Sequence, residues 1–285
     1  MTAAAPPHRT YLYAPGHVAR IVDKALASTA DAVILDLEDA VPQSEKRAAR
    51  DAVHELACGF GRRFHVRVNR GVDADVRAAV GPATEAIRLP KVETTDEVRN
   101  AEALIAEREA TLGLPIGAIG LYLTIESALG AHRAADLLGA SDRTVRLAFG
   151  ATDFLADIGA VGAAPDGEAT VVARGMLVIA SRVASRAAPI DSVHTRLDDD
   201  EGLRRSATWA RSLGFFGKSV IHPRQVPIVH EAFTPTEAEV AWATNVEEAL
   251  AEAEIVGSSA VVLAGEFVDP AVVARAQGIL RLARR

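Results

Sequence analysis

Eight times along the chain a short apolar run stops at a polar residue and gives way to a more polar, Ala-rich stretch. The runs are TYLYAP (10–15), AVILDLE (32–38), RFHVRVN (63–69), AIRLPKV (86–92), GAIGLYLTIES (117–127), TVRLAFGATD (144–153), IDSVH (190–194) and GKSVIHP (217–223). Strands this uniformly apolar are buried on both faces, which requires a parallel sheet covered by helices. The apolar spacing between them predicts helices over 18–28, 44–57, 95–109, 168–187 and 200–213. With 285 residues, the economical closure of eight such units is an α/β fold of the (β/α)₈ TIM-barrel type. Residues past Pro223 exceed what a barrel needs. Helical patterns cover 236–254 and 270–284, with a short extended or hairpin stretch, SAVVLAGEFVD, between them. The expected organisation is a disordered N-terminal arm (1–8), a barrel (9–232) and a C-terminal helical extension (233–285).

Composition narrows the chemistry. Aromatic residues make up only 5% of a chain that is 49% hydrophobic, so Ala, Val, Leu and Ile are expected to fill the core. The one cysteine, Cys58, excludes an intrachain disulfide and a thiolate zinc cluster, and fits a cytoplasmic setting. The net charge of −7 and the lack of a basic stripe argue against nucleic acid or an anionic membrane as partner. No apolar run approaches the ~18 residues of a membrane span, and MTAAAPPHRT lacks the apolar segment of a signal peptide. Neither glycine-rich phosphate-loop pattern occurs, so a nicotinamide or nucleotide-hydrolysing enzyme is not expected.

The polar residues at the strand ends are Asp36, Glu38 and Asp39; Arg67 and Asn69; Lys91; Glu126; Asp153; His194; and His222. In a barrel these ends converge on one face, where sites of this fold are built. Glu126 and Asp153 end adjacent strands. They can share a hard divalent ion such as Mg²⁺, or they can cap the helices that follow. Arg67, set between Val66 and Val68, needs an acidic partner such as Asp36 or Glu38, and its fork also suits a substrate carboxylate or enolate oxygen. Lys91 reads as structural, with a substrate contact as the alternative. His194 and His222 read as hydrogen-bonded scaffold, with Pro223 placed to start a helix.

Taken in order, RTYLYAPG, ADAVILDLEDAV, VRVN, LPKVE, IESALG, FGATDFLADIG and GKSVIHPRQV resemble the citrate lyase beta-subunit-like proteins of the HpcH/HpaI aldolase superfamily, which include malyl-CoA, citramalyl-CoA and β-methylmalyl-CoA lyases. The likeness runs from about Arg9 to Leu282. It implies a Mg²⁺-dependent (alternatively Mn²⁺-dependent) barrel that cleaves or forms a C–C bond next to a thioester. The reaction would interconvert a 3-hydroxyacyl-CoA with acetyl-CoA or a related acyl-CoA plus a 2-oxo acid. The resemblance places the metal on Glu126 and Asp153 and Arg67 on the substrate's oxygens. It also places Asp269 of the extension in the active site of a neighbouring subunit of a homotrimer or hexamer. In the mechanism this suggests, Asp269 carries the proton, and Glu38 and Asp39 orient metal waters and Arg67. An N-cap role for Asp269, which precedes Pro270, is compatible with this. The chain departs from the family pattern at His17 and Val18-Ala19 after the first PG, at Thr152, and at Pro270, one position early. The alternatives are a citryl-acyl-carrier-protein lyase, a pyruvate-type aldolase acting on free hydroxy-keto acids, and a non-catalytic subunit.

Overall fold

The computed structural model describes residues 8–59, 61–255, 261–263 and 265–283. Residues 1–7 of the expected arm lie outside the described residues. The chain divides between His230 and Glu231 into two compact units. In the first, strands and helices alternate from β1 (Thr10–Pro15) and α1 (Ala19–Leu26) through β2 (Ala32–Asp36), α2 (Lys46–Cys58), β3 (Phe64–Arg67), α3 (Asp73–Ala79), β4 (Thr84–Leu89) and α4 (Thr95–Thr111). They continue through β5 (Gly120–Ile125), α5 (Ala128–His132), α6 (Ala134–Gly139), β6 (Thr144–Phe149), α7 (Ala151–Asp157), α8 (Val171–Val183), α9 (Asp200–Ser212), β7 (Lys218–Val220) and α10 (Val226–Phe233). All seven strands are parallel, in the order β6-β5-β4-β3-β2-β1-β7.

The run IDSVH is not a full strand. It is reduced to parallel bridges, Ile190 to Ala148 of β6 and Asp191 to Lys218 of β7. Pro189, with no N–H, opens the segment. Four backbone bonds of 2.9 Å then tie it to both neighbours: Ile190 N–H to Leu147, Phe149 N–H to Ile190, Asp191 N–H to Gly217 and Ser219 N–H to Asp191. These bonds close the ring between β6 and β7, and the fold is a (β/α)₈ TIM-type barrel.

The aliphatic core lies where expected between sheet and helices, with Val33, Leu35, Val66, Ile87, Leu121, Leu123 and Leu147 fully buried. Inside the ring the expectation fails. Tyr11, Tyr122, His65, Arg88 and Arg146 fill much of the interior. Burying two guanidiniums requires compensation, and here it comes largely from the aromatic rings. Arg88 lies over Tyr11 and Tyr122, at 4.5 and 5.0 Å from the ring centres. Arg146 donates to the Tyr11 hydroxyl at 2.6 Å and to the Ala188 carbonyl at 2.7 Å.

The second unit comprises α11 (Glu237–Ile255), an antiparallel hairpin of β8 (Val261–Leu263) and β9 (Glu266–Val268), and α12 (Pro270–Ala283). Its own small core joins Ala243, Val246, Val268 and Ala276 with the partly buried Trp242, Leu250 and Leu280. Among the described residues no helix is long and apolar enough to cross a membrane.

Candidate active site

β2 ends on Asp36, whose buried carboxylate organises the turn that follows. It accepts the Glu38 N–H at 2.9 Å and the Ala40 N–H at 3.0 Å. The same two oxygens take a bidentate grip on Arg67, at 2.7 Å to Nε and 2.6 Å to Nη2. Glu38 Oε2 lies 2.8 Å from Arg67 Nη1 and Asp39 Oδ2 lies 3.4 Å from it. Burial disfavours the charge on Arg67, but the bonds to Asp36 and the surrounding acids raise its pKa further above its ordinary value. A tie that sequence reasoning missed comes from Lys46 of α2. Its Nζ donates to the carbonyls of Leu37 (2.8 Å) and Glu38 (2.6 Å) and to Asn69 Oδ1 (2.8 Å). Nothing in the sequence sets Lys46 apart from the other charges of its helix; its role depends on carbonyls that only the turn exposes.

β4 leads through Pro90 into Lys91, which adopts left-handed backbone geometry with φ +52°. That conformation is costly for a side chain-bearing residue. It aims the Lys91 N–H at Glu126 Oε1, 2.7 Å away, while Nζ reaches Glu38 Oε1 at 2.8 Å. Glu126, one residue past β5, is 5% exposed. Burial first, then the charges of Glu38 and Asp153, push its carboxyl up to about 8, against the pull of the Lys91 N–H. Burial likewise raises Glu38, although Arg67 and Lys91 oppose it. Asp153, in the first turn of α7, stands within hydrogen-bonding reach of Glu126. Gly150 makes this approach possible, because a Cβ there would lie 2.4 Å from Glu126 Oε2.

These groups surround a cavity of about 380 Å³ whose wall includes Tyr13, Asp36, Asp39, Arg67, Thr124, Glu126, Asp153, Ser192 and Ser219. Asp36, fully buried at the foot of the cavity, is the partner that Arg67 requires, and Glu38 stands between Arg67 and Lys91 with its charge felt at Glu126. The hydroxyl-bearing wall of Tyr13, Thr124, Ser192 and Ser219 was not anticipated. Only the inward alternation on β1 and β5 hints at it. His222 caps a short 3₁₀ turn opened by Pro223, its Nδ1 accepting the Arg224 N–H at 3.2 Å. The His194 carbonyl accepts Gln225 Nε2 at 2.9 Å, and its Nε2 lies 3.7 Å from Asp199. In the second unit, Asp269 caps α12, accepting the Val272 N–H at 2.8 Å.

The donor set fits a hard divalent cation. Five carboxylates, of Asp36, Glu38, Asp39, Glu126 and Asp153, meet two cationic side chains, Arg67 and Lys91. The raised Glu126 carboxyl marks where positive charge is lacking, and oxygen donors with solvent access suit Mg²⁺.

A closed parallel barrel with a carboxylate pair and a buried arginine at the C-terminal ends of its strands has the architecture of a barrel enzyme, and its relatives give the class. Residues 9–223 match the HpcH/HpaI aldolase/citrate lyase family, and the chain belongs to that family of carbon–carbon lyases. It is 39% identical to citrate lyase subunit beta of Leuconostoc mesenteroides subsp. cremoris over 283 residues, covering 96% of this chain and 93% of that one. It is 34% identical to a (3S)-malyl-CoA thioesterase of Cereibacter sphaeroides, covering 94% and 92% of the two chains. Among solved structures it resembles CitE from Mycobacterium tuberculosis in complex with magnesium, acetoacetate and coenzyme A, with a TM-score of 0.80, 31% identity and 98% of both chains covered.

Proposed function

We propose that this chain is a Mg²⁺-dependent lyase that cleaves a 3-hydroxyacyl-CoA thioester, or forms it in reverse, with acetyl-CoA or a related acyl-CoA and a 2-oxo acid as the other side of the reaction. The observation that carries this reading is the Glu126–Asp153 pair, short of positive charge, in one cavity with Arg67. Magnesium and coenzyme A in the Mycobacterium tuberculosis CitE structure support it.

Glu126 and Asp153 would hold the ion, which when bound would polarise the substrate's hydroxyl and future carbonyl. Arg67, fixed by Asp36, faces the oxygen that changes character and stabilises charge on it in a partly enclosed site. Glu38 and Asp39 hold Arg67 and Lys91 from behind and beside it. Lys91 keeps Glu126 aimed through its N–H and offers Nζ at the substrate side. Asp269, from a neighbouring subunit, delivers a proton to the departing thioester enolate and removes it in the condensation direction.

The test is a panel of malyl-, citramalyl-, methylmalyl- and hydroxymethylglutaryl-CoA assayed with Mg²⁺ and with chelator. The expected result is release of a 2-oxo acid from at least one thioester, lost with chelator. Turnover that persists with chelator removes the metal assignment. The thioesterase relative favours a second reading, hydrolysis, which would release CoA with no 2-oxo acid. Activity confined to a thioester on a carrier protein would move the chain to the citrate lyase beta-subunit role. Asp269→Ala is expected to lose turnover, and mixing it with Arg67→Ala subunits to restore part of it. No recovery after verified subunit exchange sinks the assignment across subunits.

A further inference from the structure

The carboxylate pair and Arg67 leave the hydroxyls of the cavity wall without a task, and among them Tyr13 stands directly against Arg67. β1 turns Tyr11 and Tyr13 inward at alternate positions. Tyr11 is sealed in the interior with its hydroxyl bonded to Arg146 at 2.6 Å. Tyr13, one layer higher, is half-buried and lines the cavity beside Arg67 and Glu126. Its ring centre lies 4.9 Å from the Arg67 guanidinium carbon. A phenylalanine ring would make that contact as well, so stacking does not account for the hydroxyl. That hydroxyl has no hydrogen-bond partner among the described residues. Burial raises the phenol's pKa despite the nearby Arg67 and Arg88, so at neutral pH it is a donor and not a phenolate.

Arg88 is a second, independent anomaly. It is fully buried, its Nη1 and Nη2 have no partner, and the hydrogen bond found for it is Nε to His65 Nδ1 at 3.4 Å. No carboxylate pairs with it among the described residues. A guanidinium met by ring faces but by no carboxylate, in a low-dielectric interior, favours negative charge developing nearby.

We propose that Tyr13 is a further substrate-contacting residue, whose O–H donates to the substrate oxygen that passes between alcohol and carbonyl when the carbon–carbon bond breaks. This rests on the lyase reading above. Tyr13 keeps its proton throughout, so no proton is transferred through it. A donor that strengthens only as charge builds on that oxygen raises kcat without tightening KM.

The test is Tyr13→Phe, which keeps the ring against Arg67. Binding of oxalate and of pyruvate is measured by calorimetry with Mg²⁺, since oxalate places a charged oxygen where pyruvate has a ketone. The substitution is expected to weaken oxalate by about tenfold and leave pyruvate within about twofold. On a thioester that is cleaved, kcat falls by about tenfold or more with KM nearly unchanged. Oxalate bound as tightly by Tyr13→Phe as by the natural chain, or not bound by either, overturns the proposal. The failure of the lyase reading looks different: oxalate binding depends on Tyr13 while no thioester of the panel is cleaved.

Discussion

Glu109 and Glu126 are both glutamates buried in the same barrel, and they are treated in opposite ways. Glu109 is fully buried where the chain enters β5 and β6. Its oxygens accept four bonds, from Gly117 N–H and Ile119 N–H at 2.9 Å each and from Arg143 at 2.9 and 2.6 Å. Burial works against its charge, yet Arg143 and the two N–H groups hold its pKa below the usual carboxylate range. Glu126, past the other end of β5, receives the Lys91 N–H and faces Glu38 and Asp153, so its carboxyl rises to about 8. Burial alone therefore does not mark a functional acid. The mark is burial with donors withheld and like charges added.

The largest effects should separate these two glutamates by identity of readout. Glu126→Gln is expected to lower Mg²⁺-dependent turnover by on the order of 10³-fold or more, with Mg²⁺ binding lost in calorimetry and the fold retained. Glu109→Gln should leave Mg²⁺ binding in place but lose about 3 kcal/mol of stability in a denaturant titration, because Arg143 is left buried without its partner. If both variants lose stability equally and neither loses metal, the contrast is wrong. Arg67→Lys comes next. A lysine cannot reproduce the two-pronged grip on Asp36, so kcat should fall by ~10² while Mg²⁺ affinity changes little. An equal loss of metal affinity would make Arg67 part of the metal scaffold instead.

The pH dependence follows from the same carboxyl. A cation must displace the proton that Glu126 holds below about 8. Apparent Mg²⁺ affinity should therefore rise about tenfold per pH unit up to that point and level above it. The metal-free protein should behave in the opposite sense. Between the ordinary glutamate pKa and about 8, the folded chain keeps a proton that the unfolded chain has lost. Stability then falls as pH rises through that window, by up to roughly 1 kcal/mol per unit. Glu38, raised as well, adds in the same direction. Glu126→Gln should flatten most of this slope in thermal melts. A slope unchanged by the substitution would place its origin elsewhere.

The strand ends were legible because period and punctuation are local: an apolar run, a polar stop, a helix. That was enough to gather Asp36, Arg67, Glu126 and Asp153 on one face. The partners of the three acids in DLED (36–39) were not legible. Asp36 is fixed by the Glu38 and Ala40 N–H groups and by Arg67, whereas Glu38 is shared between Arg67 and Lys91, a division set by partners from β3 and the strained turn at Lys91. The interior arginines were hidden for a related reason. Arg88 and Arg146 read as interruptions of apolar strands, and the rings that accommodate them, Tyr11 and Tyr122, come from strands distant in sequence. The reduction of IDSVH to two bridges follows Pro189, which marks a boundary in sequence but not how few residues pair after it.

The smallest predicted effect returns to the contrast between site and scaffold through backbone strain. Two non-glycine residues adopt left-handed geometry among the described residues, Lys91 at φ +52° and Ser185 at φ +54°. Ser185 follows the end of α8, where its N–H bonds the Arg182 carbonyl at 3.0 Å and the next N–H bonds Ser181 at 2.8 Å. That is the helix-terminating position glycine prefers. Ser185→Gly should relieve the strain and stabilise the chain by about 0.5–1 kcal/mol with turnover unchanged. Lys91→Gly relieves the same strain but removes Nζ from Glu38, leaving that buried carboxyl to Arg67 against the repulsion of Asp39. Its net stability change should be smaller than that of Ser185→Gly, and kcat should fall. If Lys91→Gly gained the full stability and kept full activity, the strain at Lys91 would be incidental, as at Ser185, and the strained turn could be dropped from the site.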